Sequence, residues 1–242
     1  MSDSTNGKVE RAILFDIDGT LIRAVKRREY RTFTREMLVE VFGTSGRIAE
    51  VDFAGKTDLS IYAEALECAG ITYETIIDRL AVLEKAKIGV IERMVAAGGD
   101  VFHVCPGVPE LLEALSSQHR LIPSLLTGNL ERLAEAKLRL VGLWNYFKVR
   151  GAFGSDHRDR DQLPAIAADR IIRHLGHALA PDRFVIVGDT PRDIACARHF
   201  GARVLAVASG TFSTEQLAAF APDVLIEDLT NTENVLSVLN TI

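Results

Sequence analysis

"ILFDIDGTLI", Ile13 to Ile22, is the stretch whose reading decides the fold. Its first half is a continuous apolar run, as in strands of parallel sheets covered on both faces. Two carboxylates then follow, Asp16 and Asp18, and a Gly19-Thr20 turn. A buried carboxylate without a partner is costly, and two of them close together repel. Either a positive group lies between them, or Asp16 is a helix cap and Asp18 a turn residue. The rest of the chain has to decide.

Alternation of strands and helices resumes only far downstream. "LIPSLLTGN" (121–129) reads as a strand ending at Thr127, with Pro123 expected at its beginning, since proline is uncomfortable in a central strand. "LERLAEAKLRLVGL" reads as a helix, "KVRGAFG" (148–154) as a short strand and "LPAIAADRIIRHLG" as a helix. "RFVIVGDT" is a strongly apolar strand ending at Asp189. "RDIACARHFG", "ARVLAVASG", "TEQLAAFA" and "DVLIED" continue as helix, strand, helix and last strand. This order predicts a doubly wound α/β sheet of Rossmann-like build.

Between the first strand and this alternation the pattern is helical throughout. "YRTFTREMLVEVFG" places Phe33, Met37, Leu38 and Val41 on one face. "DLSIYAEALECAG" repeats this, with Asp58 as N-cap and Gly70 as stop, and "YETIIDRLAVLEKAKIGVIERMVAAGG" is a third, long stretch. The expected division is an α/β core of residues 1–23 and 104–242, with an inserted all-helical cap at 24–103. Residues 1–10 read as a frayed tail.

Composition bounds the function. The 242 residues carry 48% hydrophobic and 25% charged residues, ordinary for a globular protein with a sizeable core. The formal net charge of −5 offers no basic excess for nucleic acid. The cluster "RAVKRREYR" (23–31) is short and reads as a solvated helical face. No apolar run reaches the roughly 18 residues that span a bilayer. The start "MSDSTNGKVER" lacks an apolar signal core, so a cytoplasmic location is expected. Cys68, Cys105 and Cys196 are widely spaced and suggest neither a zinc site nor a disulfide framework. The six histidines form no ligand-spaced cluster; His157 reads as a surface loop residue.

In open α/β sheets ligands bind outside the carboxyl ends of the strands. Three expected strand ends carry notable residues: Asp16 with Asp18, Thr127 with Gly128 and Asn129, and Asp189 with Asp193. Neighbouring strands would converge these acids on one crevice. Such a set suits Mg²⁺, which prefers oxygen ligands and is often completed by substrate phosphate. The Gly19-Thr20 turn would offer backbone amides to an anion.

"DIDGTL", "LLTGN" and "VGDTPRD", in that order, resemble the motifs of the haloacid dehalogenase-like superfamily, in the phosphoglycolate phosphatase and β-phosphoglucomutase-like branch with a helical cap. The resemblance covers nearly the whole chain. It implies Asp16 as nucleophile, forming an aspartyl-phosphate. It implies Asp18 as general acid and then base, and Thr127, with the following Gly128 and Asn129, as holder of phosphate oxygens. Gly19 and Thr20 complete the loop. Asp189 would ligate Mg²⁺ together with Asp16 and the backbone carbonyl of Asp18, and Asp193 would be a second metal-shell or loop-orienting acid. Asp18 argues against carbon-halogen chemistry, which needs no acid there.

One departure stands out. The family's third motif is a Lys before the helix that leads to the Gly-Asp strand, and "GSDHRDRDQLPAIAADR" contains none. Arg160, preferred for its distance from Pro164, is the expected replacement; Arg158 and Lys137 are the alternatives. In the cap, "DFAGKTDLS" (52–60) is the loop expected to descend to the site, where Lys56 would meet the substrate's far anion. The expected reaction is Mg²⁺-dependent hydrolysis of a small phosphate monoester by a monomer or homodimer. The alternatives are phosphotransfer of the β-phosphoglucomutase type, a phosphonate hydrolase using a cap lysine, and a non-catalytic protein that kept the fold.

Overall fold

The computed structural model describes residues 9–25 and 27–242. Most of the expected frayed tail, and Lys26 of the basic cluster, lie outside the described residues.

Strand β1 (Arg11–Phe15) runs straight into the turn that holds Asp16 and Asp18. The short β2 (Ile22–Ala24) follows. Four helices come next: α1 (Arg27–Phe42), α2 (Asp58–Leu66), α3 (Tyr73–Asp78) and α4 (Leu80–Ala96). β3 (Phe102–Val104) then returns antiparallel to β2, so both crossings between the helical block and the sheet are paired in one small ribbon. Neither strand has an alternating pattern long enough to be read from sequence.

The remaining elements are α5 (Val108–Ser116), β4 (Leu121–Leu125), α6 (Glu131–Leu140) and α7 (Leu163–Leu175), then β5 (Phe184–Gly188) and α8 (Pro191–Phe200). β6 (Arg203–Val207), α9 (Thr214–Ala218), β7 (Val224–Ile226) and α10 (Thr232–Thr241) complete the chain. The strand order is β4-β1-β5-β6-β7, and every pairing in this sheet is parallel. The fold is a doubly wound α/β sheet. Ile13, Phe15, Val185 and Val187 pack on one face, while Ala12, Leu14, Phe184 and Ile186 pack on the other. That is why these strands read as unbroken apolar runs. Connections leave β1 toward β4 and β5 toward β6, so the strand order reverses between β1 and β5. Their carboxyl ends frame the crevice where such sheets bind ligands.

Several expectations are corrected. Pro123 sits in the middle of β4, which is tolerated because β4 is the sheet's edge. The Leu126 N–H donates to Phe15 O at 2.8 Å, so strand alternation turns the Pro123 nitrogen to the outer side. Residues 148–154 form no strand, only an isolated bridge between Ala152 and Leu126. There the backbone approaches so closely that a Cβ at Gly151 would lie 1.8 Å from Leu125 O. The third helical stretch breaks at Arg79, whose φ of −102° and ψ of 10° leave the helix. α2 is capped by Thr57, whose Oγ1 accepts from the Ser60 N–H, and Asp58 is its first residue instead. α10, absent from the sequence reading, packs against α5. In the basic cluster, Arg23, Arg28 and Arg31 are exposed as expected of a solvated face, although Arg31 also donates to Val51 O at 2.7 Å and stacks 4.3 Å from the Phe53 ring.

Candidate active site

A cavity of about 340 Å³ lies between the carboxyl ends of the strands and the helical block. Its wall includes Asp16, Asp18, Gly19, Thr127, Gly128, Asn129, Lys137, Arg160 and Asp189 from the core. Tyr30, Phe53, Lys56 and Asp58 close it from the helical side. The predicted residues are therefore brought together, but their partners could not be read from sequence.

Asp16 follows β1 directly, and its backbone N–H still donates to Val187 O at 2.9 Å, continuing the pairing with β5. Its carboxylate is buried, 3.2 Å from the Arg160 guanidinium. Burial pushes the Asp16 carboxyl up to about 7; Arg160 opposes this, and Asp193 and Asp18 add to it. Asp189, at the end of β5, is also raised, by burial first and then by the charges of Asp16 and Asp193. Thr20 Oγ1 donates to Asp189 Oδ1 at 3.0 Å. Two glycines make room for the same carboxylate. A Cβ at Gly210 would lie 1.6 Å from Asp189 Oδ2, and one at Gly19 would lie 2.2 Å from it. Gly19 also has a φ of +98°, which L side chains rarely adopt.

Asp18 occupies a different environment. Lys137 Nζ bonds both its oxygens, at 2.8 and 2.7 Å. Asn129 Nδ2 donates to Asp18 Oδ2 at 2.7 Å, and Asn129 Oδ1 accepts from Lys137 at 2.7 Å. Its side chain still keeps 44% of its surface open, toward the cavity, whereas Lys137 keeps 3%. Enclosure by protein atoms favours the neutral acid, but Lys137 and Asn129 outweigh it and hold the Asp18 carboxyl low. Thr127 is fully buried, and its Oγ1 accepts from Asn129 Nδ2 at 2.8 Å, which sets the Asn129 amide between the two motifs. Among the three basic candidates, Arg160 meets Asp16 and Lys137 meets Asp18. Arg158 stacks 4.8 Å from the Tyr73 ring, in the helical block. His157 is exposed and bonds the backbone of Asp159.

The geometry specifies two of the expected residues further. Asp193 lies within 4.8 Å of the ligand atoms of Asp16 and Asp189. Yet its Oδ2 accepts from the N–H and hydroxyl of Thr190, at 3.0 and 2.7 Å, and its Oδ1 accepts from Arg160. Those bonds form the capping box of α8 and anchor Arg160, the loop-orienting one of its two expected roles, while its oxygens stay beside those of Asp16 and Asp189. Lys56 is ion-paired with Glu64 on α2, and it is the Lys56 carbonyl that meets the core: a Cβ at Gly128 would lie 2.1 Å from it. Around it, Arg160 donates to Gly55 O at 3.2 Å and Arg192 to Ala54 O at 3.1 Å.

The donor set fits a hard divalent cation. Asp16 and Asp189 present only oxygens, both are buried, and the charge of Asp16 raises the proton affinity of Asp189, a conflict that a cation between them removes. Sequence reasoning missed Ser209, whose hydroxyl donates to Gly19 O at 2.7 Å and steadies the turn. It also missed Tyr30 and Phe102, whose rings lie 5.5 and 5.6 Å from the Lys137 ammonium. Only their distance in space from Asp18 would have marked them.

The sequence profile of the haloacid dehalogenase-like hydrolases matches residues 10–201. The chain belongs to this family. As a hydrolase of that family it is 28% identical over 225 residues to "Probable phosphatase IndB" of Dickeya dadantii, covering 89% of this chain and 88% of that protein. It is 27% identical over 221 residues to the phosphoglycolate phosphatase of Synechococcus elongatus, covering 89% and 92%. The crystal structure of CbbY from Rhodobacter sphaeroides, in complex with phosphate, shares the fold with a TM-score of 0.64 at 21% identity, covering 92% and 96%. Among the described residues, no helix is long and apolar enough to cross a membrane.

Proposed function

We propose that this hydrolase cleaves small phosphate monoesters with Asp16 as nucleophile, Mg²⁺ as cofactor and the helical block as a cap. One observation carries the reading: two carboxylates two residues apart face one cavity in opposite electrostatic settings. Asp16 is buried against Arg160, and Asp18 is held ionised by Lys137 and Asn129. Pairs of acids whose environments differ in this way divide nucleophilic and proton-transfer work between them.

Asp16 attacks phosphorus and forms an aspartyl-phosphate, which splits the displacement into two steps. Arg160 neutralises charge at Asp16 and, anchored by Asp193, cannot swing away. Asp16 and Asp189, with the Asp18 carbonyl, would hold Mg²⁺, which when bound neutralises charge on the phosphoryl group. Thr127 and the amides after it cradle phosphate oxygens. In the arrangement seen, Asp18 is the ionised carboxylate that takes a proton from water in the second step. The negative charge of an arriving ester raises its proton affinity, which suits it to protonate the leaving group in the first. The cap closes over the cavity and excludes bulk water.

The cavity volume suits a metabolite of a few carbons, and the phosphoglycolate phosphatases among the relatives support that size class. Lys56, paired with Glu64, is not presented as a free amine, which weakens the phosphonate hydrolase reading. The test is release of phosphate from p-nitrophenyl phosphate and a panel of small esters. Activity that survives EDTA, or that survives Asp16→Asn, overturns the proposal.

A further inference from the structure

The loop that carries Thr127, Gly128 and Asn129 is held by the core, where Asn129 O accepts from the Gly154 N–H at 2.8 Å, and also by the helical block. Helix α6 begins just after it; Leu130, its N-cap residue, offers no capping side chain, and the Glu131 N–H donates to Ser155 Oγ of the core at 3.2 Å. Asp58 of the helical block bonds the N-cap residue itself. Its Oδ2 accepts from the Leu130 N–H at 3.0 Å, and its own N–H donates to Gly128 O at 2.7 Å. These two bonds run in opposite directions and pin the residues on either side of Asn129. The second oxygen, Oδ1, accepts from the Tyr62 hydroxyl at 3.3 Å, which orients the carboxylate. Asp58 is 8% exposed, so the bonds are desolvated. They are reinforced next door, where Thr57 Oγ1 donates to Arg158 O at 2.5 Å. Asn129 in turn bonds both members of the direct Asp18–Lys137 pair.

We propose that Asp58 is a positioning residue: it caps core helix α6 from the helical block and thereby fixes Asn129, and through it Asp18, in the arrangement used for proton transfer. This rests on the phosphatase reading, in which Asp18 moves the proton. A charge at a helix N-terminus interacts favourably with the amides and the helix dipole, and here the charge is supplied only when the block is seated on the sheet. Docking of the block therefore adds two bonds to a loop that the core alone holds through Ala152, Gly154 and Ser155.

The test uses the full chain and the variants Asp58→Ala and Asp58→Asn, with steady-state kinetics on p-nitrophenyl phosphate and amide hydrogen exchange at Leu130. Misplacement by about 1 Å costs roughly a hundredfold in rate, so Asp58→Ala is expected to lower kcat 10- to 100-fold. KM should stay within about threefold, and Leu130 exchange should speed up. Asp58→Asn keeps a carbonyl oxygen and should recover part of both losses. Unchanged kcat in Asp58→Ala, a rise in KM alone, or unchanged Leu130 exchange overturns the proposal. If Asp58→Ala loses exchange protection throughout β5 and is unfolded, the same two readouts on Asp58→Asn decide. A wild-type chain that releases no phosphate from any ester overturns the phosphatase reading instead. Leu130 exchange, which needs no substrate, tells the two failures apart.

Discussion

The Arg160 guanidinium stands 3.2 Å from Asp16 while also bonding Asp193, so one cation joins the β1 and β5 sides of the crevice. Burial alone would disfavour its charge, but Asp193 and Asp16 outweigh that and keep it firmly protonated. Arg160→Met leaves two buried carboxylates without their partner. Breaking a buried pair in this way costs about 3–5 kcal/mol, partly relieved if Asp16 takes up a proton. A lower melting temperature and a loss of roughly a hundredfold or more in kcat are expected. Arg160→Lys should recover part of each. Wild-type turnover in Arg160→Met would refute the role given to Arg160.

Asp16 and Asp189 give the metal-free protein a characteristic pH dependence. The Asp16 carboxyl is raised from 3.8 to about 7, so between these values the folded state binds a proton that the unfolded chain releases. Stability from this group is therefore lost as pH rises through that window. Mg²⁺ should raise the melting temperature more at pH 8 than at pH 5, and EDTA should reverse the gain. Asp189→Asn should abolish the Mg²⁺ effect. Melts that ignore Mg²⁺ at both pH values would count against the ligand pair.

Lys137 keeps the Asp18 carboxyl low despite its enclosure. Lys137→Met should let the Asp18 proton affinity rise. If proton abstraction from water limits turnover, the acid limb of the kcat profile moves to higher pH. A profile that falls in height without moving would show that Lys137 acts elsewhere.

Lys87 of α4 is buried, 3.1 Å from Thr34 Oγ1 and 4.5 Å from the Tyr30 ring. Burial lowers its ammonium from 10.5 to about 8, with Asp58 opposing the fall. Between pH 8 and 10.5 the unfolded chain holds a proton that the folded state lacks, so stability rises with pH across that window. Lys87→Met should stabilise the protein at pH 7, by about 3 kcal/mol on the basis of that shift, and flatten the rise. Thermal melts at pH 7 and 10 check this; a destabilised variant at pH 7 would mean that the bonds of Lys87 outweigh its desolvation.

Much of the fold was legible in local pattern. β1, β5 and β6 are covered on both faces, so their apolar runs stand out, and α7 and α8 carry Pro and Gly at their ends. What failed to show was structure without a periodic signal: the three-residue strands β2 and β3, the break at Arg79, and a proline made harmless by an edge position. Most residues expected to hold the chemistry line one cavity, while Thr20 and Asp193 support it through Asp189 and Arg160, and Lys56 pairs with Glu64.

The sequence by itself determined the α/β architecture, the strand ends that bear Asp16, Asp18, Thr127 and Asp189, and the family. These depend on short motifs whose turn chemistry and hydrophobic period act within a few residues. Only the tertiary structure decided which cation faces which acid. Arg160 meets Asp16 and Lys137 meets Asp18 because strand order and helix packing bring distant segments within 4 Å. It also decided that the side chain of Asp58, read as the cap of its own helix, bonds the N–H of Leu130 at the start of the core's α6 instead. Hydrogen bonds and buried charges are satisfied across space, and a linear pattern records which groups need partners but not where those partners lie.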